Sequence, residues 1–191
     1  MTMLSENDRC GWCLVDELYT QYHDHEWGRP SFDDDHLFEH LILETFQAGL
    51  SWHIILKKRQ HFRDAFCGFD ARSMAQMSEQ DIENLLQNPR IVRNHQKIRA
   101  AIGNAQIYLN EFPLKGDFTR FMWGFVGGMP QMNHPQQLSD LPARSPESDA
   151  MSKALKKMGF RFVGSTTCYA YMQALGMVND HLEHCIFKYS D

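Results

Sequence analysis

The chain has 191 residues, a formal net charge of −5 and a hydrophobic content of 43%, as one globular domain would have. It shows no apolar stretch near the roughly 20 residues that a membrane span needs, and residues 1–9 lack the apolar region of a secretion signal. Without such a signal, the five cysteines are expected to stay reduced. We therefore expect a cytoplasmic protein with no membrane partner, folded as a single domain over residues 1–191 with two helical lobes.

The net charge conceals an uneven distribution along the chain. Residues 1–45 carry eleven acidic and two basic side chains, whereas residues 46–191 carry thirteen acidic and seventeen basic ones. Three windows, at 52–63, 90–110 and 151–179, contain basic residues and no acidic ones. Because salt screens charges beyond about 10 Å, a DNA backbone would respond to such local basic surface more than to the net charge. Each window is also compatible with an ordinary solvated helix face.

Helix signals begin at residue 33. Three aspartates at 33–35 precede Leu37 and Leu41 at helical spacing, which is typical of a helix N-terminus followed by an apolar face. Ser51 is a suitable N-cap for the next helix, and Ser78 opens a capping-box pattern. The predicted helices lie at 35–48, 52–66, 79–87, 94–109, 117–126, 149–158 and 166–175.

Glycine, proline and capping residues mark the breaks between these helices. Asn88-Pro89 separates two of them, Ser148 is the predicted N-cap of the sixth, and Gly159 is its predicted C-terminal stop. The stretch 132–146 contains three prolines and is predicted to be an irregular surface connection. Because no convincing strand pattern appears, the predicted fold class is all-α.

Two pairs of candidate zinc ligands lie at opposite ends of the chain. Cys10 and His23 are near the start, and His181 and Cys185 are near the end. Cysteine and neutral histidine are the usual zinc ligands, and four of them form a closed structural site. On a helix, the four-residue spacing of the second pair would place both side chains on one face. We therefore expect one structural Zn²⁺ per chain that joins the N- and C-terminal segments.

Other cysteines and histidines leave alternatives to this ligand set. Cys10 and Cys13 have a C-x-x-C spacing, which beside a βαβ unit would indicate a redox site, but no alternation of strands and helices is predicted here. Cys13 in place of His23 would make a common zinc knuckle. Three further histidines are candidates on spacing alone and are interpreted as surface residues: His25, His134 and His184.

Glu44 is an acidic residue at the edge of the apolar arc of the predicted helix 35–48. A carboxylate there is either a rim residue that reaches solvent or a partly desolvated group that needs a hydrogen-bond partner. Aromatic neighbours favour the second interpretation, because they could stack on a flat, electron-poor ring while the acid accepts hydrogen bonds from its edge. Those neighbours are Trp12, Tyr19, Tyr22, Trp27 and Trp52.

The connection at 88–97 joins two predicted helices and carries Arg90, Arg93 and Lys97. A short turn between helices can present backbone amides to a phosphate, as in a helix–hairpin–helix. The turn lacks the usual glycines, so a plain αα-hairpin is the preferred explanation of this segment taken alone.

Six motifs in a fixed order connect these observations. They are C-G-W, Y-H-D-x-E-W-G, L-E-x-x-Q-A-G-L-S-W, I-V-R-N-x-x-K-I, S-K-A-L-K-K-x-G-F-x-F-V-G and V-N-D-H-x-x-x-C. Over about residues 8–187, the chain thereby resembles the bacterial 3-methyladenine DNA glycosylase I family. The resemblance implies an all-helical member of the helix–hairpin–helix glycosylase superfamily with a structural zinc joining its terminal segments. It also implies a cytoplasmic base-excision-repair enzyme that acts on double-stranded nucleoid DNA containing alkylated adenine, and we expect a monomer.

The resemblance assigns roles to individual positions. The zinc ligands would be Cys10, His23, His181 and Cys185. The base pocket would be formed by Trp12, Tyr19, Tyr22, Trp27, Glu44 and Trp52. Leu50, in the family's DNA-probing loop, would be the wedge, and the DNA backbone would be held by Arg90, Arg93 and Lys97. The chain departs from the family at Thr45 and Phe46, where other members carry small or polar residues. Cys13 is a further departure, because it adds a thiol next to the zinc segment.

The implied reaction is hydrolysis of the N-glycosidic bond to 3-methyladenine after base flipping. Of the two candidate catalytic residues, Glu44 would accept from the adenine amino group and Tyr22 would position the ring or a water, while Trp52 would stack on the cationic ring. The resemblance supports neither Glu111 nor Asp117 as a general base. No lysine is indicated as a Schiff-base nucleophile, which predicts a monofunctional glycosylase.

Two other functions stay open at this point. A zinc-stapled protein that binds DNA lesions without turnover would share the same pocket, and only an activity assay separates the two. A zinc hydrolase of small molecules would need an open coordination position, which four good ligands disfavour.

Overall fold

The computed structural model describes residues 8–189, which form a mostly helical fold. Its α-helices are α1 (Glu17–His25), α2 (Asp34–Gln47), α3 (Trp52–Ala65), α4 (Ala71–Ala75), α5 (Glu79–Gln87), α6 (His95–Glu111), α7 (Asp117–Gly124), α8 (Pro146–Met158) and α9 (Ser165–Ala174). Short 3₁₀ helices lie at Gly11–Cys13, Cys67–Phe69, Leu138–Asp140 and Ile186–Tyr189. Two strands, β1 (Gln131–Met132) and β2 (Val178–Asn179), pair in parallel with Gln131 opposite Val178. Within residues 8–189, no helix is both long and apolar enough to cross a membrane.

Capping residues begin several helices, and the capping box predicted at Ser78 is confirmed, whereas Ser51 precedes α3 without a side-chain cap hydrogen bond. Ser78 and Asp81 form a reciprocal capping box at α5, and Asn94 accepts a hydrogen bond from the Lys97 amide at α6. Asp33 caps α2 in the same way. Each cap satisfies an amide that the first turn of a helix leaves unpaired, so these boundaries follow from local sequence.

The predicted N-cap of the sixth helix is wrong. The N-cap of α8 is Ser145 and not Ser148, because Pro146 takes the first helical position and Ser148 completes the capping box from inside the helix. His181 and Cys185 lie in a turn after β2, so their convergence does not come from a shared helix face.

The sequence pattern also fails to indicate two helices, α1 and α4, and the strand pair. Helix α1 is short and polar, although Asp16 caps it by accepting from the Tyr19 amide. Each strand has only two residues, too few to show the alternation that identifies a strand.

Helix α2 lies at the centre of the core. It packs against α3, α6, α7 and α9, and most of its side chains between Leu37 and Phe46 are buried. Because neighbouring helices cover α2 on several sides, Glu44 is enclosed with the apolar residues around it. The interpretation of Glu44 as a solvent-reaching rim residue is therefore wrong.

Gly176 allows the end of α9 to approach the segment that follows α1. Its φ is +68°, and a Cβ at this position would lie 2.4 Å from the backbone nitrogen of Pro30. The amide of Gly28 donates to the carbonyl of Gln173 over 3.1 Å. These contacts hold Trp27, at the end of α1, against α9.

Candidate functional site

Helices α1, α2, α3 and α9 enclose a cavity of about 210 Å³, called the aromatic cavity below. It is lined by all six residues predicted for the base pocket, Trp12, Tyr19, Tyr22, Trp27, Glu44 and Trp52. Its volume is below the roughly 300–1,000 Å³ of pockets for drug-sized ligands, so a single small ring suits it better than a larger molecule.

The aromatic cavity has further lining residues that the sequence does not indicate. Among them are Gln47, Leu141 and Gln173. Gln47 lies three residues after Glu44, so their shared helix face is a signal that could have identified it. Gln173 and Leu141 come from distant parts of the chain and carry no such signal.

The aromatic rings pack against one another around the cavity. Trp12 meets Tyr19 edge-on, with ring centroids 4.9 Å apart, and meets Trp27 at 5.0 Å. The ring of Tyr22 lies 5.5 Å from that of Trp52. Since each ring is braced by another, the cavity presents fixed aromatic surfaces on which a flat ligand can stack.

A polar contact outside the cavity supports Tyr19. The ring of His53 stacks on that of Tyr19 at 4.8 Å and 12°, and His53 Nε2 lies 2.7 Å from the carboxylate of Asp16. A hydrogen bond from Lys57 lowers the pKa of Asp16 to about 2, so this carboxylate stays charged. An aspartate followed by Tyr19 and Tyr22 at helical spacing is the signal that could have indicated both α1 and this support.

Glu44 is the acidic residue of the aromatic cavity. Glu44 is 2% exposed, and its Oε2 has no hydrogen-bond partner among the described residues. Burial raises the pKa of Glu44 well above 4.5, because low polarity disfavours the charged carboxylate. Nε1 of Trp52 is likewise buried and unpaired within residues 8–189. Buried polar atoms are rarely left unpaired in folded proteins, so these two atoms mark positions where a ligand would complete the hydrogen bonding.

Tyr22 is also buried in the cavity wall. Burial raises its pKa well above 10, so the phenol stays protonated near neutral pH and can donate a hydrogen bond. The two acids considered as general bases are elsewhere: neither Glu111 nor Asp117 lines the cavity. Asp117 instead accepts a hydrogen bond from Arg120.

Cys10, His23, His181 and Cys185 converge in a second buried group, called the metal cluster below. Their ligand atoms all lie within 4.8 Å of one another. Cys185 Sγ is 3.5 Å from His23 Nε2 and 3.4 Å from His181 Nδ1, and Cys10 Sγ is 3.7 Å from His181 Nδ1. Four such side chains around one point could bind a metal ion.

Hydrogen bonds outside the metal cluster fix the orientation of its imidazoles. His23 Nδ1 lies 2.8 Å from the carboxylate of Asp24, which also accepts from Arg9. His181 Nε2 lies 3.3 Å from the carbonyl oxygen of Trp27. When these nitrogens donate to oxygen, the other nitrogen of each ring is left to face the thiols as a ligand.

The alternative ligands lie outside the metal cluster. Cys13 is buried, and its Sγ donates to the carbonyl of Cys10 over 3.0 Å. The segment around these cysteines is a 3₁₀ turn that leads into α1, so the βαβ context of a thioredoxin-like redox site is not found there. The other histidines are exposed, as predicted: His25, His134 and His184.

The metal cluster and the aromatic cavity share two tryptophans. Trp27 meets His181 edge-on at 4.7 Å, and Trp12 meets His23 at 5.3 Å. Both tryptophans line the cavity, so the position of the metal cluster fixes part of the cavity wall.

The residues predicted to contact DNA have two different environments. Leu50 is 39% exposed in the turn between α2 and α3, and Arg90 and Arg93 are exposed in the connection between α5 and α6. Lys97, in contrast, is 6% exposed, and its Nζ donates to two backbone carbonyls at the end of α2. The structure therefore does not place Lys97 with the exposed side chains that could bind phosphate.

Comparison with known proteins identifies the family. Residues 12–189 match the model of the methyladenine glycosylases. The chain belongs to the methyladenine glycosylase family. It is 49% identical over 178 residues to DNA-3-methyladenine glycosylase 1 of Escherichia coli K12, a match that covers 93% of this chain and 95% of that protein. The resemblance inferred from the six motifs is confirmed.

Solved structures of the family share the fold. The structure of 3-methyladenine DNA glycosylase I from Staphylococcus aureus, which concerns 3-methyladenine recognition, has a TM-score of 0.92 and 36% identity, and the match covers 98% of this chain and 100% of that one. A tyrosine-to-phenylalanine variant of 3-methyladenine DNA glycosylase I, in complex with 3-methyladenine, has a TM-score of 0.91 and 37% identity, with coverage of 96% and 98%. The mostly helical fold of this family member is therefore that of solved methyladenine glycosylases.

The departures from the family at Thr45 and Phe46 lie away from the cavity lining. The hydroxyl of Thr45 donates to the carbonyl of Ile42 over 2.7 Å. Phe46 packs in the core with its ring centroid 4.7 Å from that of Phe62. These two residues thus act in core packing and do not change the cavity surface directly.

Proposed function

We propose that this protein excises 3-methyladenine from alkylated double-stranded DNA by hydrolysing the N-glycosidic bond. The observation that carries the proposal is Glu44, a buried and unpaired acceptor among aromatic stacking surfaces. The name of the Escherichia coli relative and the 3-methyladenine complex of a family structure support the same activity.

The chemistry of the substrate defines what the protein must supply. Methylation at N3 places a positive charge on the base while it is still joined to the sugar, which makes it a good leaving group. The protein must then extract the base and select it. Flipping costs a few kcal/mol, and less for a damaged base whose pairing is weakened. The exposed Leu50, in a turn next to the cavity-lining Trp52, is suited to fill the space that the flipped base leaves.

Selection of the base would depend on charge and on hydrogen bonding. Stacking of the cationic ring on Trp52 would contribute about 1–2 kcal/mol in a desolvated cavity. Glu44 would accept from the amino group of adenine, whereas guanine presents a carbonyl oxygen at this edge that a carboxylate repels. The protonated phenol of Tyr22 would position the ring or a water.

The metal cluster would hold a structural zinc ion. In a tetrahedral zinc site, bonds of about 2.3 Å to sulfur and 2.0–2.1 Å to nitrogen imply N···S separations of roughly 3.5–3.6 Å. Three N···S separations in the cluster are 3.4, 3.5 and 3.7 Å. Two thiols and two oriented imidazoles complete such a shell, so the ion would supply folding energy. Its place between the terminal segments would support Trp12 and Trp27.

The connection between α5 and α6 would contact the DNA backbone as the hairpin of a helix–hairpin–helix. Arg90 and Arg93 are exposed there and would neutralise phosphates near the lesion. We expect the protein to act as a monomer. Among the described residues, no lysine lines the cavity. The proposed enzyme is a monofunctional glycosylase that leaves the DNA strand uncut.

One experiment tests the proposed function. The purified protein is incubated with methylated duplex DNA, and the released bases are identified by chromatography. We expect 3-methyladenine as a released base and intact DNA strands. Binding of the damaged duplex without release of any base would instead indicate a lesion-binding protein, and the proposal would fail.

A further inference from the structure

Helix α2 ends abruptly, one turn after Glu44, and its last carbonyls need partners. Ala48 leaves the helical conformation, with φ −45° and ψ 113°. The carbonyl of Gln47 accepts from the amide of Leu50 over 2.6 Å. Since the final carbonyls of a helix have no partner within it, the carbonyls of Phe46 and Ala48 must be satisfied from elsewhere.

Lys97 supplies that partner from the first turn of α6. Its Nζ donates to the carbonyl of Phe46 over 2.8 Å and to that of Ala48 over 2.5 Å. A cation at the C-terminus of a helix is also favoured by the helix dipole. The ring of Phe162 lies 6.0 Å from the same Nζ, and the residue is only 6% exposed. The ammonium is thus committed to the protein interior.

We propose that Lys97 is a positioning residue that fixes the loop at 48–51, and with it Leu50, for entry into DNA. The inference rests on the proposed function, in which Leu50 fills the space of the flipped base. Lys97 begins the helix that directly follows Arg90 and Arg93, so one side chain connects the segment facing the DNA backbone with the loop that enters the duplex. Glu44 and Trp52 belong to α2 and α3, which pack against each other and bury both residues, so we expect the cavity to keep its form without Lys97.

This role predicts a separation between two activities. Loss of the ammonium frees the carbonyls of Phe46 and Ala48, and the loop at 48–51 then samples other conformations. Extraction of a base from a duplex needs the loop in place, whereas binding of the free base needs only the aromatic cavity. A phosphate-binding lysine would behave differently, because it would change the salt dependence of DNA binding.

The test uses Lys97→Met, which keeps the length of the side chain and removes its donors. Lys115→Met is the matched control, because Lys115 is exposed and lies outside the proposed DNA-binding segments. Three quantities are measured for both variants and the wild type: affinity for free 3-methyladenine, single-turnover release from methylated duplex, and the salt slope of duplex binding. The salt slope is the change in log affinity for duplex DNA per unit change in log salt concentration. Hydrogen exchange of the amides at 47–51 reports the loop directly. If Lys97→Met melts below the assay temperature, Lys97→Gln, which keeps one donor, is measured in the same way.

We expect Lys97→Met to bind free 3-methyladenine as the wild type does and to release the base from duplex about 10- to 100-fold more slowly, as for the loss of a charge-assisted hydrogen bond. Exchange at 47–51 should be faster and the salt slope unchanged. The inference would be overturned if Lys97→Met released the base as fast as the wild type, or if hydrogen exchange at 47–51 did not change. It would also be overturned if binding of the free base fell as much as release from duplex, or if the salt slope flattened by about one. Failure of the wild type itself to release 3-methyladenine would refute the proposed function, and the exchange comparison would still decide the role of Lys97.

Discussion

Replacement of Glu44 by glutamine is the most direct test of the aromatic cavity. The substitution keeps the shape of the side chain, but glutamine cannot form the carboxylate that would face a cationic base, and it places an amide donor beside the acceptor. Because Oε2 of Glu44 has no partner in residues 8–189, no protein hydrogen bond is lost there, and the effect falls on the bond to the ligand. A charge-assisted hydrogen bond contributes about 1.5–3 kcal/mol, which corresponds to roughly 10- to 140-fold in affinity or rate.

The assay has two parts. Free 3-methyladenine is titrated while tryptophan fluorescence is followed, since Trp12, Trp27 and Trp52 line the cavity. Release of the base from methylated duplex is then measured in a single turnover. Glu83→Gln, at an exposed position of α5, is the control for the loss of one carboxylate. If Glu44→Gln bound and released 3-methyladenine as the control does, the assignment of Glu44 to base recognition would be refuted.

The same substitution should leave a signature in the pH dependence of stability. Burial raises the pKa of Glu44 well above 4.5 in the folded protein, whereas a glutamate in an unfolded chain has a pKa of about 4.3. The folded state therefore binds the proton more tightly, so the stabilising contribution is full below the unfolded pKa and is lost as the pH rises through the folded one. Because glutamine does not titrate, Glu44→Gln does not lose stability in this way as the pH rises. Its melting temperature should exceed that of the wild type by a margin that grows from pH 5 to pH 8, and a constant margin would contradict the argument.

Two further predictions concern the metal cluster and the DNA-binding face. Cys185→Ser should lose bound zinc and melt on the order of 10 °C lower, whereas Cys67→Ser, at an exposed cysteine, should change neither; equal metal content in both variants would rule out the cluster as the zinc site. Arg93→Gln should flatten the salt slope of duplex binding by about one without sequence preference, and the exposed Arg72→Gln should not. A slope unchanged by Arg93→Gln would mean that this side chain is merely solvated.

Helix boundaries could be predicted where their determinants are local. The partners of Ser78 and Asn94 lie three residues away, so the pattern alone identifies both caps. At α8 the pattern was not sufficient, because Ser145 and Ser148 are both good caps. Pro146 settles the choice, since its fixed φ suits the first helical position.

The ligands of the metal cluster could be predicted because cysteine and histidine are recognisable as metal ligands from their residue type, before their positions in space are known. Cysteine and histidine pairs at matching family positions indicate a zinc site even though the chain separates His23 from Cys185 by 162 residues. The side chains that line the cavity from α9, such as Gln173, have no comparable chemical signal. Their place depends on how α9 packs on α2, which only the structure shows.

Lys97 illustrates the limit of sequence reasoning most clearly. In the sequence it belongs to the same basic window as Arg90 and Arg93, and all three suggest phosphate contacts. Its actual partners are carbonyls 49 and 51 residues away. Charge and spacing predict that a lysine binds an acceptor, but only tertiary packing decides whether that acceptor is DNA or the end of another helix.

The sharing of Trp12 and Trp27 between the metal cluster and the aromatic cavity also sets an order of events during synthesis. Trp12 and Trp27 are synthesised early, and Cys185 emerges 162 residues after His23. Until it does, the cluster cannot close, and two walls of the cavity lack their support. A nascent chain that lacks Cys185 would therefore carry Trp12 and Trp27 without the cluster that holds them in place, so this part of the cavity wall would be fixed only after Cys185 has been added.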